Sequence, residues 1–269
     1  MPAFYLQLLI GIVAAGAIAL AALRVRFLQP SGALATFLLG TVVFGLGGIA
    51  WSIPLITFFV LSSLLSRYSP RRRRKEQFDL IFEKGSTRDA GQVWANGGIA
   101  GIIVILHAII PDPALFIAYL GALAAAAADT WGTEIGVLST GRPRSVRTWQ
   151  PVEPGTSGGI SGTGSLGAVA GAISVALSGV FWTSSPWDAL PVVVGAGVAG
   201  MLIDSIAGAT LQGRYRCHRC GAITERHLHC NLPSTLIAGE RWIGNDLVNT
   251  VCCLAGGLAG YGAWLMIGR

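Results

Sequence analysis

The fold of this chain is decided by the stretch from Ala114 to Glu134, which reads ALFIAYLGALAAAAADTWGTE. It is apolar up to Ala128, and its last six residues contain two carboxylates and two threonines. Small alanine side chains allow neighbouring membrane helices to approach closely. Carboxylates at a bilayer boundary are costly unless they meet a polar ligand there. The stretch therefore predicts a closely packed membrane helix that ends in a binding site.

The composition of the whole chain agrees with a membrane protein. Of its 269 residues, 52% are hydrophobic and 12% are charged, and the mean hydropathy is +0.62. These values are typical of polytopic membrane proteins and exclude an ordinary soluble domain. We predict one integral membrane domain over residues 1–269, an all-α bundle of about eight transmembrane helices. The predicted spans are Phe4–Leu23, Ala33–Ile49, Trp51–Ser66, Val93–Ile110, Ala114–Ala128, Gly158–Trp182, Ala189–Leu211 and Leu247–Ile267.

The distribution of positive charge predicts the topology. Lys and Arg in short loops accumulate on the cytoplasmic side of membrane proteins. With eight spans, 18 of the 19 Lys and Arg residues, all except Arg269, fall on one face. We predict that this face is cytoplasmic and that both termini are extracytoplasmic. The run Arg71–Lys75 is interpreted as a topology determinant, with attraction of anionic headgroups or of a polyphosphate substrate as the alternative.

The first apolar segment differs from a cleaved signal peptide. No basic residue precedes it, and it lacks a convincing small-residue cleavage site. We expect a retained helix. Because no transit-peptide composition precedes it, we expect a bacterial-type plasma membrane.

Polar clusters adjoin the predicted spans on the same face. Arg88, Gln92 and Asn96 are four residues apart, so a helix would place them on one side. The alternative for them is a solvated helix end. If the helix continues past Asp129, Thr133 shares its face and Glu134 lies beside it. Such hard oxygen ligands suit Mg²⁺ together with substrate phosphates, and the alternative is a capping Asp129 with a solvated Glu134.

A glycine-rich segment follows this acidic pair. Residues 155–164 combine glycines with hydroxyls and precede an apolar helix, a composition typical of phosphate-binding loops. It is not a Walker A motif, because no Gly-Lys-Ser/Thr closes it. The alternative is a role in helix packing. The candidate phosphate ligands are Thr156, Ser157, Gly158 and Gly159.

Two further clusters belong to the last two spans. Asp204 and Ser205 lie near the cytoplasmic end of one span, with Gln212 two turns further on. Asn245 and Asn249 share a face at the start of the last span, with Asp246 between them. Ionisable residues inside a span are functional candidates, although a carboxylate at a helix N-terminus such as Asp246 is also favourable by itself.

The predicted cytoplasmic loop 213–241 contains a candidate metal site. Cys217 and Cys220 have Cys-x-x-Cys spacing, and two histidines and Cys230 follow. In a reducing compartment this pattern suits a structural Zn²⁺ held by three cysteines and one histidine. We predict His227 as the fourth ligand, with His229 as the alternative.

The ordered motifs resemble one integral-membrane family over nearly the whole chain. The motifs are QVWANGG (92–98), ADTWGTE (128–134), PGTSGG (154–159), DSIAGATLQ (204–212) and NDLVN (245–249). They are similar to the family that includes phytyl-phosphate kinase and transmembrane protein 19. The resemblance implies a kinase that transfers a phosphoryl group from a nucleoside triphosphate, with CTP the expected donor, to a prenyl monophosphate such as phytyl phosphate. The family is also similar to membrane prenol kinases and cytidylyltransferases.

This resemblance gives the candidate residues their roles. Asp129, Glu134, Asp204 and Asp246 would bind Mg²⁺, and Arg147 would neutralise charge during transfer. Substrate or nucleotide would contact Arg88, Gln92, Asn96, Thr133, Thr156, Ser157, Gly158, Gly159, Ser205, Gln212, Asn245 and Asn249. We expect a lipid and a nucleotide as partners and no nucleic acid. The alternatives are a cytidylyltransferase that forms a CDP-lipid, and a small membrane transporter.

Overall fold

The computed structural model describes residues 2–68, 84–139 and 141–267, so the basic run Arg71–Lys75 and Arg269 lie outside the described residues. Seven helices in this part of the chain are long and apolar enough to cross a membrane. We number them α1 (Pro2–Arg24), α2 (Pro30–Tyr68), α3 (Ala90–Ile109), α4 (Pro113–Gly136), α5 (Gly162–Gly179), α6 (Pro186–Thr210) and α7 (Asn245–Met266). The predicted helical membrane bundle is confirmed.

The long helix α2 contains a reversal at Gly48. This glycine has φ 68° and ψ −157° and separates two helical segments, 30–47 and 49–68. Near the end of the second segment, Nη1 of Arg67 donates to the carbonyl of Val25, which precedes the first, over 2.8 Å. A straight helix of 39 residues would separate these groups by roughly 55 Å, so the segments run antiparallel. The seven helices therefore provide eight candidate crossing segments, and the reversal lies at the predicted boundary between the second and third spans.

The helix α4 is the centre of the bundle. Every residue from Ala114 to Ala128 is buried. Neighbouring backbones approach it at glycines: a Cβ on Gly121 would lie 2.5 Å from the carbonyl oxygen of Gly256 in α7, and one on Gly171 of α5 would lie 2.6 Å from that of Ala127. The small residues predicted to allow close packing are thus surrounded by backbone on several sides.

The chain connections divide between the two ends of the bundle. The segments before α2, α3, α5 and α7 meet at one end, where residues from all four line a common cavity. At the other end lie the Gly48 reversal and the turns 110–112 and 180–185, and there the hydroxyl of Tyr261 donates to Asp112 Oδ2 over 3.0 Å. This alternation is the one expected of an even number of crossings.

Short strands occur in two of the connections, which the all-α prediction did not include. β1 (Arg144–Ser145) pairs antiparallel with β2 (Gly159–Ile160). In the loop between α6 and α7, β3 (Arg214–Arg216) lies between β4 (Ile223–Thr224) and the last strand, β7 (Thr235–Ala238). The strands β5 (Leu228–His229) and β6 (Leu232–Pro233) form a separate pair. A short 3₁₀ helix, Val180–Trp182, follows α5.

Candidate functional site

A cavity of about 530 Å³ opens at the end of the bundle where the strand-bearing connections lie. Three helices, α3, α5 and α7, begin beside it, and two, α4 and α6, end there. The first N–H groups of a helix have no intrahelical partner, and together with the helix dipole they attract anions. The arrangement therefore places three helix N-termini and two helix C-termini around one polar cavity.

Two carboxyl groups meet in this cavity. Asp129, from the last two turns of α4, and Asp204, from the end of α6, are in side-chain hydrogen-bonding contact, and Glu225 is close enough to interact with Asp204 electrostatically. Within the described residues, Oδ2 of Asp204 is buried and has no hydrogen-bond partner. Two ionised carboxylates in hydrogen-bonding contact repel each other unless a proton or a cation lies between them. Their hard oxygen atoms fit Mg²⁺, which binds one or two carboxylates together with water and phosphates.

A buried guanidinium belongs to the lining of the same cavity. Arg88 is only 8% exposed, and its Cζ lies 5.3 Å from the ring centre of Phe58 and 6.0 Å from that of Phe59. Burial lowers the pKa of Arg88 to about 10, against the attraction of Glu134, which favours the charged form. The side chain therefore keeps its positive charge at neutral pH while being largely dehydrated.

The backbone on both sides of Arg88 is held in place. Its N–H donates to the carbonyl of Phe27, and its carbonyl accepts from Gln29 N, at 3.0 and 2.9 Å. The next residue, Asp89, caps α3: its Oδ1 accepts from Gln92 N at 2.9 Å, and Gln92 Oε1 accepts from Asp89 N at 3.2 Å. This capping box starts α3 at Ala90, three residues before the predicted span, and orients Gln92 at the cavity wall. Arg88 precedes the helix, so the prediction that it shares a helical face with Gln92 and Asn96 is wrong.

A lysine bridges two of the helix starts. Nζ of Lys84 lies 2.7 Å from Oδ2 of Asp89, at the start of α3, and 3.0 Å from Oδ2 of Asp246, at the start of α7. Partial burial opposes its charge, but the hydrogen bonds with the two carboxylates raise the pKa of Lys84 above its usual value. Partial burial likewise opposes the charge of Asp89, whereas the bonds from Lys84 and the Gln92 amide lower the pKa of Asp89.

The glycine-rich loop packs against the end of α6. Gly158 has φ +74°, and a Cβ there would lie 2.5 Å from Cβ of Ala209 and 2.6 Å from the carbonyl oxygen of Ser205. The hydroxyl of Ser157 donates to Gln212 Oε1 over 2.9 Å, and that of Thr156 donates to the carbonyl of Glu153 over 2.8 Å. The hydrogen bonds of Ser157 and Thr156 thus hold the loop in place. The positive φ of Gly158 and its close approach to α6 require a glycine at that position.

Most of the predicted site residues line the cavity, and two do not. Arg147 is exposed and lies outside the lining. Asp246 is also outside the lining, but it forms an ion pair with Lys84, which belongs to it. The predicted residues that line the cavity are Arg88, Gln92, Asn96, Asp129, Thr133, Glu134, Thr156, Ser157, Gly158, Gly159, Asp204, Ser205, Gln212, Asn245 and Asn249.

Three charged lining residues were missed by sequence analysis. Lys84, Glu225 and Arg226 all face the cavity, although each lies in a loop outside the motifs. For Glu225 and Arg226 the only signal was their position between Cys220 and His229, inside the proposed metal-binding loop.

The cysteine cluster lies in that loop. The ligand atoms of Cys217, Cys220, His229 and Cys230 all lie within 4.8 Å of one another. The predicted fourth member, His227, is elsewhere: its Nε2 lies 3.2 Å from the hydroxyl of Tyr215, and the two rings are 4.6 Å apart. His227 precedes β5, whereas His229 belongs to it and is followed directly by Cys230. The geometry thus replaces His227 by the alternative, His229.

Known proteins resemble the chain over most of its length. It is 32% identical over 231 residues to Protein PGR of Arabidopsis thaliana, an alignment that covers 77% of this chain and 79% of the relative. It is 31% identical over 234 residues to an uncharacterized membrane protein of Methanocaldococcus jannaschii, covering 87% and 92%. A Synechocystis uncharacterized membrane protein is 24% identical over 193 residues, covering 71% and 74%.

No solved structure matches the chain. The model of the family described as "Integral membrane protein DUF92" matches residues 13–257, and this match confirms the family resemblance predicted from the ordered motifs. The chain belongs to the DUF92 family of integral membrane proteins.

Proposed function

We propose that this protein is a Mg²⁺-dependent prenyl-phosphate kinase. It would transfer a phosphoryl group from a nucleoside triphosphate, with CTP the expected donor, to a prenyl monophosphate such as phytyl phosphate. The observation that carries the proposal is the pairing, in one cavity, of the Asp129–Asp204 carboxyl groups with the buried Arg88. A cation site and an anion site within one cavity suit a metal-bound polyphosphate.

In this proposal the carboxyl groups that line the cavity hold the cation. Asp129 and Asp204 are the ligands, with Glu134 on the same helix as Asp129. Bound Mg²⁺ supplies neutralisation of the negative charge on the transferred phosphoryl group. Asp246 is assigned instead to the bridge that orients Lys84, because its Oδ2 lies 3.0 Å from that ammonium group.

The chemical step needs positioning more than a strong base. A phosphate monoester has a second pKa near about 6, so its terminal oxygen is already anionic at neutral pH. This oxygen attacks the γ-phosphorus, the bond from that phosphorus to the bridging oxygen breaks, and the nucleoside diphosphate leaves with the electron pair. Arg88 takes the charge-neutralising role that the sequence suggested for Arg147, because it is buried at the cavity and Arg147 is exposed.

The lipid acceptor agrees with the position of the cavity. The cavity lies at one end of a membrane bundle and includes the apolar side chains of Val137, Ile160 and Met201 among its polar ones. The headgroup of a bilayer lipid reaches this level without leaving the membrane. By the positive-inside rule this end is cytoplasmic, where a soluble nucleotide is accessible, and a bacterial-type plasma membrane is the proposed location.

The products test this proposal. The purified protein in detergent would be incubated with Mg²⁺, labelled CTP or ATP, and phytyl or geranylgeranyl monophosphate, and the lipid product identified by mass. A prenyl diphosphate that forms with wild type and with Asp188→Asn, but not with Asp129→Asn, is the expected result. Asp188 is the matched control because it lies in the first turn of α6, at the opposite end of the bundle.

Two other outcomes would replace the kinase. A CDP-lipid with release of diphosphate would identify a cytidylyltransferase, which would use the same cavity. Absence of turnover with any nucleotide, together with flux of a phosphorylated lipid or anion in liposomes, would identify a transporter.

A further inference from the structure

A second polar centre lies in the loop between α6 and α7, separate from the carboxyl pair. It consists of the thiols of Cys217, Cys220 and Cys230 and the imidazole of His229. The three cysteines are free, and the sulfur atoms of Cys220 and Cys230 are 3.8 Å apart, far beyond the roughly 2.05 Å of a disulfide bond. The cluster therefore has three soft ligands and one imidazole, a set typical of structural zinc sites.

The spacing of three of the four ligand atoms fits one face of a tetrahedron around zinc. Zinc–sulfur and zinc–nitrogen bonds of about 2.3 and 2.0 Å imply edges of about 3.8 Å between two sulfurs and about 3.5 Å between sulfur and nitrogen. The observed Cys220–Cys230 edge is 3.8 Å. Nδ1 of His229 lies 3.6 Å from the sulfur of Cys220 and 3.2 Å from that of Cys230. The distances between these three atoms are therefore close to those expected between zinc ligands, and no covalent bond joins the atoms.

The turn around the first two cysteines is also shaped for a metal. The backbone N–H groups of Arg219 and Cys220 donate to the sulfur of Cys217. Gly221 follows with φ +73°, and its N–H donates to the carbonyl of Cys217 over 3.0 Å. Such N–H···S bonds stabilise a thiolate and fix the direction of its lone pairs.

The segment between the two halves of this cluster reaches the cavity. Its strand β4 pairs with β3, with Thr224 opposite Tyr215, and both side chains are buried. The next two residues, Glu225 and Arg226, line the cavity, and Glu225 interacts electrostatically with Asp204. Zinc ligands thus stand on both sides of the two residues that this loop contributes: Cys220 five positions before Glu225, and His229 four positions after it.

We propose that Cys217, Cys220, His229 and Cys230 bind one Zn²⁺ ion, which holds the loop so that Glu225 and Arg226 face the cavity. In two-residue strands such as β4 and β5, hydrogen bonds alone fix the backbone weakly. A tetrahedral ion joins residues 217–220 to residues 229–230 and closes the intervening segment into a short loop. This role is independent of the reaction that the cavity catalyses.

Metal content tests the ligand set without reference to activity. The protein would be purified under reducing conditions, supplied with zinc, and measured by elemental mass spectrometry. About one zinc per chain is expected for wild type and for His227→Ala, the matched control, and loss of zinc for Cys220→Ser and His229→Ala. Failure of reduced wild type to take up zinc would overturn the proposal, and zinc retained fully by His229→Ala would overturn the ligand set.

Cobalt substitution in wild type keeps the test decisive if a variant does not fold. Thiolate-to-cobalt absorption bands and a tetrahedral visible spectrum are expected, and an octahedral spectrum would contradict the site.

Hydrogen exchange tests the positioning role. After removal of zinc by a chelator, backbone exchange in residues 214–238 should rise several-fold, while exchange in α4 and in the α1–α2 hairpin stays unchanged. Unchanged exchange in residues 214–238 after zinc has left would show that the ion does not hold Glu225 and Arg226 at the cavity.

Discussion

The two parts of α4 differ sharply although they belong to one continuous helix. From Ala114 to Ala128 every residue is buried, whereas from Asp129 to Gly136 all but Glu134 are at least partly exposed and most line the cavity. The first part contacts neighbouring helices through glycine and alanine, and the second faces Arg88 and Asp204. A Cβ built on the glycines at these contacts would lie only 2.5–2.6 Å from the neighbouring backbone, so the helices have little freedom to shift. The packed part of α4 therefore fixes the position of the carboxyl groups in its polar part.

The largest expected effect comes from removing the carboxyl group of α6 that meets the polar part of α4. Asp204→Asn keeps the size of the side chain but removes one of the two carboxyl groups that meet there. We expect activity to fall about 10²–10³-fold, the loss typical of an electrostatic group at a transition state, with the folded protein retained. Prenyl diphosphate formation and size-exclusion chromatography measure the two quantities, and activity within about twofold of wild type would remove Asp204 from the site.

A smaller effect is expected when the packed part of α4 is disturbed. Gly121→Ala places a Cβ 2.5 Å from the carbonyl oxygen of Gly256, so α7 must move away, at a cost of about 1–3 kcal/mol. Thermal unfolding in detergent should show a lower midpoint, whereas Gly262→Ala, whose Cβ meets no atom within 4 Å, should behave as wild type. Equal midpoints for the two variants would mean that α4 and α7 are less closely packed than described.

The glycine-rich loop should respond less than the core. Gly158→Ala adds about 1–2 kcal/mol of left-handed backbone strain and a contact with Ala209 of α6. We expect the KM for nucleotide to rise about tenfold, which corresponds to about 1.4 kcal/mol, and the unfolding midpoint to fall by no more than it does in Gly121→Ala. Gly162→Ala, where a Cβ meets no atom within 4 Å, is the matched control. A rise of the same size in Gly162→Ala would show that the loop contact with α6 is irrelevant.

The smallest effect is expected at Lys84, which joins the starts of α3 and α7. Lys84→Met removes the bridge to Asp89 and Asp246, worth about 0.2–1 kcal/mol for a partly exposed pair. Because the pKa of Asp89 is lower in the folded state, its contribution is present above the unfolded pKa near 3.8 and is lost as pH falls through the folded value. Because the pKa of Lys84 is raised, its contribution is full below about 10.5 and is lost as pH rises through the folded value.

Unfolding midpoints measured as a function of pH would test this pH dependence. The difference between wild type and Lys84→Met should be largest between about pH 5 and 9 and shrink toward pH 3. A difference that stays constant down to pH 3 would mean that the ion pair is not its source.

Sequence patterns predicted the helices because membrane length and apolar composition act locally. The predicted first span Phe4–Leu23 matches α1 closely, and the predicted boundary after Ile49 lies one residue from the Gly48 reversal. The span predicted from Gly158 starts at Gly162 instead, because the glycine-rich loop is apolar enough to resemble a helix but pairs as β2. Apolar composition alone does not distinguish these two conformations.

The site was predictable where it lies at helix ends and obscure where it depends on loops. Asp129 and Asp204 stand out as charges inside apolar runs. Glu225 does not, because its approach to Asp204 follows from the folding of residues 214–238 and has no local pattern. The choice of His229 over His227 likewise follows from the folding of this loop, because the two histidines differ in their contacts and not in any local sequence pattern.

Binding of a spectroscopically visible cation tests most directly whether the polar end of α4 is a metal site. Mn²⁺ replaces Mg²⁺ at oxygen ligands, and its paramagnetic signal reports the bound fraction with and without nucleotide. We predict one Mn²⁺ per chain in wild type and Asp188→Asn, displaced by Mg²⁺, with affinity lowered at least about tenfold in Asp129→Asn and in Asp204→Asn. Equal Mn²⁺ affinity in all four proteins would contradict a cation at this carboxyl pair.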